Sequence, residues 1–170
     1  MRKWMYLLAI VILSGAALAQ DAPRFQFHGG YAYMRSEGVN FGAGWDIGLS
    51  YYFNNYLAVE ADISGHHRDN FDFYNFLIGP KLAFWENRDY VPFTHFLVGA
   101  GQAQFDVLVG GQQLSTSSAE FAFLIGGGVD IRLTDHIYFR PFQIDYIRQT
   151  GNNEADQVRI MVGLSFIGGR

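Results

Sequence analysis

The chain has 170 residues, with no cysteine, 12 basic against 16 acidic residues, 20 glycines, 16 Phe, 10 Tyr and 3 Trp. That length allows one domain, and aromatics at 17% beside charged residues at 16% exclude a disordered chain or a coiled coil. Without cysteine there are no disulfides, thiolate metal sites or thiol nucleophiles, and the acidic balance argues against a nucleic-acid partner.

At the N-terminus, Arg2 and Lys3 precede an apolar run from Trp4 to Leu13, followed by Ala17-Leu18-Ala19. This is the pattern of an export signal over 1–19, cleaved before Gln20, with a barrel domain over 20–170. The apolar run is too short for a membrane anchor of about 20 residues. Export without cysteine fits a bacterial envelope protein. The longest later stretch free of charge, Tyr90 to Phe105, contains Pro92, Thr94, His95, Gln102 and Gln104, and fails as a membrane helix.

Beyond the signal, a period of two dominates. Phe25, Phe27, Tyr31 and Tyr33 oppose Gln26, His28, Gly30 and Ala32. From Phe41 to Phe53 the alternate residues are apolar, and Gly42, Gly44, Asp46, Gly48 and Ser50 lie between them. Leu57, Val59, Ala61 and Ile63 oppose Glu60, Asp62 and Ser64; Tyr74, Phe76, Ile78, Pro80, Leu82 and Phe84 oppose Asn75, Gly79 and Lys81. The same separation recurs over 121–133 and 158–166, less regularly over 91–103 and 137–148. A strand places such sets on opposite faces, whereas a helix mixes them. Eight strands result. Their connections alternate: short at 54–55, 85–90 and 134–136, mostly longer at 35–40, 65–72, 104–118 and 149–156. The expected fold is all-β, an eight-stranded antiparallel up-and-down transmembrane β-barrel.

The direction of the faces follows from chemistry. A soluble, lipocalin-like barrel would turn the apolar face inward. The polar face, however, is rich in glycine, which weakens a solvated strand but suits the crowded interior of a small barrel. The apolar face ends in aromatics such as Phe25, Tyr51, Phe53, Phe84, Phe121 and Phe166, as membrane-interface girdles do. The polar face therefore becomes the interior, and its expected network is Asp46, Glu60, Asp62, Lys81, Asp130, Arg132, Arg140, Asp145 and Arg159.

Two details sharpen this network. In strand seven, Ile137 and Phe139 face outward in one phase, while Phe142, Ile144 and Tyr146 require the other. A bulge at Pro141 reconciles them and turns Arg140 inward, near Asp130. A similar slip is expected near Thr94-His95. Antiparallel partners across the 149–156 connection should have residue numbers that sum to about 305, and Asp145 and Arg159 sum to 304, so they should pair across it.

Tyr74-Asn75-Phe76-Leu77-Ile78-Gly79-Pro80-Lys81, Pro92-Phe93-Thr94-His95 and Arg140-Pro141-Phe142-Gln143-Ile144-Asp145-Tyr146 resemble motifs of the small outer-membrane β-barrel family, the OmpA-like transmembrane domain in its stand-alone form. The resemblance of pattern covers the whole chain after the signal. It implies bacterial outer-membrane localisation, contact with outer-membrane lipid, termini in the periplasm and assembly by the barrel-insertion machinery. It does not include a peptidoglycan-binding domain, so no cell-wall tether is implied. A departure is the ending Phe166-Ile167-Gly168-Gly169-Arg170, where Phe166 would stand for the usual terminal aromatic.

Candidate chemistry is sparse. His66-His67 with Asp69 and Asp72 falls in an expected loop, but adjacent histidines on a strand point opposite ways and make no closed metal site. Ser64 and His66 share a face, yet no orienting third group accompanies them, so a lipid-modifying enzyme is not expected. Gly126-Gly127-Gly128 precedes no helix and is no phosphate loop. No cofactor or metal is expected. The function read from the sequence is an integral outer-membrane barrel with a structural or surface-interaction role. A narrow pore is the alternative, and segment 104–118 is the candidate contact for a surface ligand.

Overall fold

The computed structural model describes residues 23–36, 39–68, 71–109, 112–151 and 155–169; the expected signal over 1–19 lies outside them. Eight strands follow in order: β1 Phe25–Ser36, β2 Val39–Tyr52, β3 Leu57–Arg68, β4 Phe71–Ala83, β5 Tyr90–Val109, β6 Gln112–Arg132, β7 Ile137–Thr150 and β8 Ala155–Gly168. Each pairs antiparallel with the next, and β8 returns to β1, closing the barrel. Closure leaves no sheet edge in the wall, the condition for strands to cross lipid.

Local chemistry explains the short turns at the end that carries both termini. The Asn54 carboxamide oxygen accepts from the Tyr56 and Leu57 amides at 2.8 and 2.7 Å. Thr134 Oγ1 accepts from the Ile137 amide at 3.0 Å. Both side chains replace backbone partners that a tight reversal cannot supply. At the other end the strands run further than their side-chain pattern. The described residues of segments 35–40, 65–72 and 104–118 are strand, as are 149–150 and 155–156, because antiparallel backbone pairing continues where alternation fades. The largest change concerns 104–118: β5 and β6 stay paired as far as Val109 and Gln112. β7 joins β6 only from Phe121, opposite Thr150. The expected loop is therefore a long hairpin arm standing beyond the barrel wall.

The bulge in β7 falls at Pro141. The β7–β8 register shifts between Arg140 and Gln143, and Arg140 and Gln143 both face inward. The slip expected near Thr94-His95 does not occur. Phe93 and His95 point inward, Thr94 and Phe96 outward, and the pairing with β4 keeps one register. Thr94 Oγ1 instead donates to the Gly126 carbonyl at 2.7 Å, which satisfies its hydroxyl on the outer face.

The outer surface is apolar around the whole wall. Ile47, Leu49, Ile63, Ile78, Ile125, Ile144 and Ile160 form its exposed aliphatic band. Phe25, Tyr51, Phe53, Phe84 and Phe166 cluster at the terminal end, and Tyr33, Trp45, Phe121 and Tyr146 lie toward the hairpin end. No water-soluble wall leaves so many large apolar side chains uncovered.

Candidate functional site

The interior is stratified. Toward the hairpin end, Met34, Phe73, Leu77, Leu97, Ala122, Leu124 and Ile147 form one buried apolar cluster. At the terminal end, Tyr52, Ala58, Ala83, Trp85, Val91, Phe93, Tyr138 and Ile167 form another. Trp85 belongs to the β4–β5 turn, yet is only 2% exposed because it folds back into the barrel mouth. Its ring meets Tyr52 and Tyr138 edge-on, each with centroids 5.6 Å apart.

Between the two clusters lies a charged layer to which every strand contributes. Its buried members are His28 from β1, Asp46 from β2, Glu60 and Asp62 from β3, Lys81 from β4, His95 from β5, Asp130 from β6, Arg140 and Asp145 from β7, and Arg159 from β8. The strand registers make room for them. Glu60 stands opposite Gly79, Asp62 opposite Gly48, Asp145 opposite Gly126, and Arg140 opposite Gly163. A Cβ at Gly126 would lie 2.0 Å from Asp145 Oδ1, and one at Gly48 would lie 2.1 Å from the His28 ring. The interior glycines thus accommodate large polar neighbours in a narrow barrel.

The layer is continuously bonded. Arg140 donates from Nε to Asp130 Oδ1 at 2.7 Å and from Nη2 to Oδ2 at 2.9 Å, a two-pronged pair. Gln26 and Ser165 also donate to Asp130. Lys81 Nζ reaches Glu60 Oε2 at 2.5 Å and Ser50 Oγ at 3.2 Å. His95 bridges two acids, with Nδ1 at 2.6 Å from Glu60 Oε1 and Nε2 at 2.8 Å from Asp145 Oδ1. Arg159 holds three: Nε donates to Asp145 Oδ2 at 2.9 Å, Nη1 to Asp62 Oδ1 at 3.1 Å, and Nη1 also contacts Asp46 Oδ2. His28 Nε2 lies 3.2 Å from Asp46 Oδ1. Phe93 lies beneath the layer, with Lys81 Nζ 4.5 Å and Arg140 Cζ 4.3 Å from its ring centroid.

Of the nine residues expected inside, the structure brings eight together: Asp46, Glu60, Asp62, Lys81, Asp130, Arg140, Asp145 and Arg159. Arg132 is the correction. Its side chain is 38% exposed at the terminal rim and binds Asp89 of the β4–β5 turn at 2.6 Å. Its strand ends there, so the long guanidinium reaches water instead of entering the barrel. His28 and His95 belong to the layer although sequence reasoning left them out; their place in the polar phase was the available signal. His66 and Ser64 are buried inside, whereas His67 is exposed and pairs with Asp72 across the β3–β4 hairpin. Asp69 lies outside the described residues.

His28, Asp46 and Asp62 also lie close enough to offer three ligand atoms to one ion. Arg159 Nη1 already contacts both carboxylates, however, and a guanidinium in that position supplies the countercharge that a metal would bring.

A closed barrel with an apolar belt outside and buried charges inside defines a membrane-spanning β-barrel protein. The family model described as the outer membrane protein beta-barrel domain matches residues 5–166, and the chain belongs to that family of the bacterial outer membrane. Solved structures with a similar fold include Neisserial surface protein A (NspA), at TM-score 0.64 and 15% identity, covering 84% of this chain and 96% of that one. OprG from Pseudomonas aeruginosa matches at TM-score 0.57 and 12% identity, over 89% and 99%. Ail of Yersinia pestis matches at 0.54 and 16%, over 84% and 95%. No curated protein matches the chain.

Proposed function

We propose that this protein is a closed, non-conducting barrel with a structural and surface-presenting role, delivered by the signal over 1–19 and inserted by the barrel-assembly machinery. The observation that carries the reading is the charged layer, in which residues from all eight strands bond across the interior between two apolar clusters. A conducting path needs continuous water between its polar groups, but here guanidinium, ammonium and imidazole groups bond the carboxylates directly. A catalytic role finds no support among the described residues: Ser64 and His66 lie inside the wall, away from lipid, and neither His66 ring nitrogen has a hydrogen-bond partner to orient it.

With both termini in the periplasm, the β5–β6 arm stands on the cell surface as the element for contact with a ligand. Nine residues of β6, 112–120, precede the first pairing with β7, so the arm is bonded on one side only. Single-channel recording in planar bilayers tests the closed-barrel reading. The expected record is a flat baseline after the folded protein is inserted. Stable conductance steps proportional to salt concentration would favour the narrow pore.

A further inference from the structure

The charged layer does not balance with ordinary protonation. Among the described residues its five carboxylates, Asp46, Glu60, Asp62, Asp130 and Asp145, face three basic side chains, Lys81, Arg140 and Arg159. All eight are buried, between apolar clusters above and below and a lipid-facing wall around them. Two uncompensated negative charges in such a place are far costlier than the binding of two protons.

Hydrogen-bond geometry locates the first proton. His95 has a carboxylate oxygen against each ring nitrogen, at 2.6 and 2.8 Å. A neutral imidazole carries one N–H and can donate to only one of them. The other contact requires another hydrogen, on the ring or on an acid, and either placement adds one proton to the chain Glu60–His95–Asp145. The second proton belongs to the remaining imbalance, where Asp46 and Asp62 share Arg159. His28 Nε2 stands between those acids, 3.2 Å from Asp46 Oδ1 and 3.9 Å from Asp62 Oδ2. The other titratable groups facing the layer are Asp130 and the three basic side chains already counted, the Tyr52 hydroxyl, which donates to Gln26, and His66, which feels the Arg159 charge. Tyr52 and His66 are neutral in an unfolded chain at pH 8, and Gln26, Ser50, Gln143 and Ser165 add no charge.

We infer that the folded barrel encloses two dissociable protons, one in the Glu60–His95–Asp145 bridge and one in the His28–Asp46–Asp62 cluster, which it takes up on folding and gives back on unfolding. No oxidant, metal or ligand is involved; each proton passes between solvent and a nitrogen or oxygen lone pair. At pH 8 an unfolded chain holds neutral histidines and ionised carboxylates. The folded state then binds two more protons than the unfolded state, so stability falls as pH rises. The unfolding equilibrium constant should increase about 100-fold per pH unit while both protons stay bound in the folded form. The protein thus contains an acid-favoured latch, and folding would be weakest in an alkaline medium.

The direct test is a proton count. The folded barrel in phosphatidylcholine vesicles is unfolded with urea at pH 8 in weakly buffered solution containing an indicator dye. Release of about two protons per chain supports the inference, and release of none overturns it. Asp62→Asn removes one excess carboxylate and should lower the count by one; an unchanged count would contradict the second site. Because the first measurement uses the wild-type protein, the test does not depend on any variant folding. Adding a chelator should leave the count unaltered. A chelator-dependent loss of structure would instead assign the balancing charge to a metal ion at His28, Asp46 and Asp62 and overturn the proposal.

Discussion

Arg159→Met is expected to destabilise the barrel at or above the upper end of the roughly 3–5 kcal/mol cost of breaking a buried ion pair. The reason is that Arg159 serves three acids, not one: Asp145, Asp62 and Asp46 all contact its guanidinium. Asp145→Asn should cost less, about 3 kcal/mol, because the amide still offers an oxygen to Arg159. Strand register alone suggests that a double variant would recover part of the loss. The observed geometry limits that recovery, since Asp46 and Asp62 stay behind without Arg159, and His95 also loses its bond to Asp145. Urea unfolding from lipid vesicles measures all three variants. Losses that simply add would mean that Arg159 and Asp145 do not interact.

Trp85→Ala should have the second-largest effect, about 3–5 kcal/mol, the usual cost of deleting a buried aromatic ring. Trp85 closes the terminal mouth between Tyr52 and Tyr138, and its removal would open a cavity beneath Phe93 and the charged layer. Trp85→Phe keeps an aromatic plug and should cost less. The same unfolding measurement decides. A loss below about 1 kcal/mol for Trp85→Ala would place the ring outside the mouth, as an ordinary turn residue.

The strand count, the faces, the bulge at Pro141 and the pairing of Asp145 with Arg159 were legible in the sequence because each depends on a period of two or on hairpin symmetry. Arg140 shows how far such counting reaches. Correcting one phase slip turned it inward and set it beside Asp130, where the structure has a contact of 2.7 Å. Three things were hidden. Leu77, Leu97, Leu124 and Ile147 occupy the inward phase, but an apolar residue in a polar phase reads as noise until neighbouring strands show that such residues stack. Trp85 sits in a turn, where alternation says nothing about direction. Arg132 carries the right phase and the wrong destination, since phase does not report that a strand has ended. The arm at 104–118 was hidden for a related reason: backbone pairing needs no side-chain alternation, so a polar strand resembles a loop.

The central claim is that the eight strands close on themselves as a membrane barrel. Electrophoresis of detergent-folded protein in dodecyl sulfate, loaded with and without boiling, tests this most directly. A closed barrel held by continuous pairing from β1 round to β8 should survive the detergent unboiled and migrate at a position different from the boiled chain. Identical migration of the two samples would contradict the account.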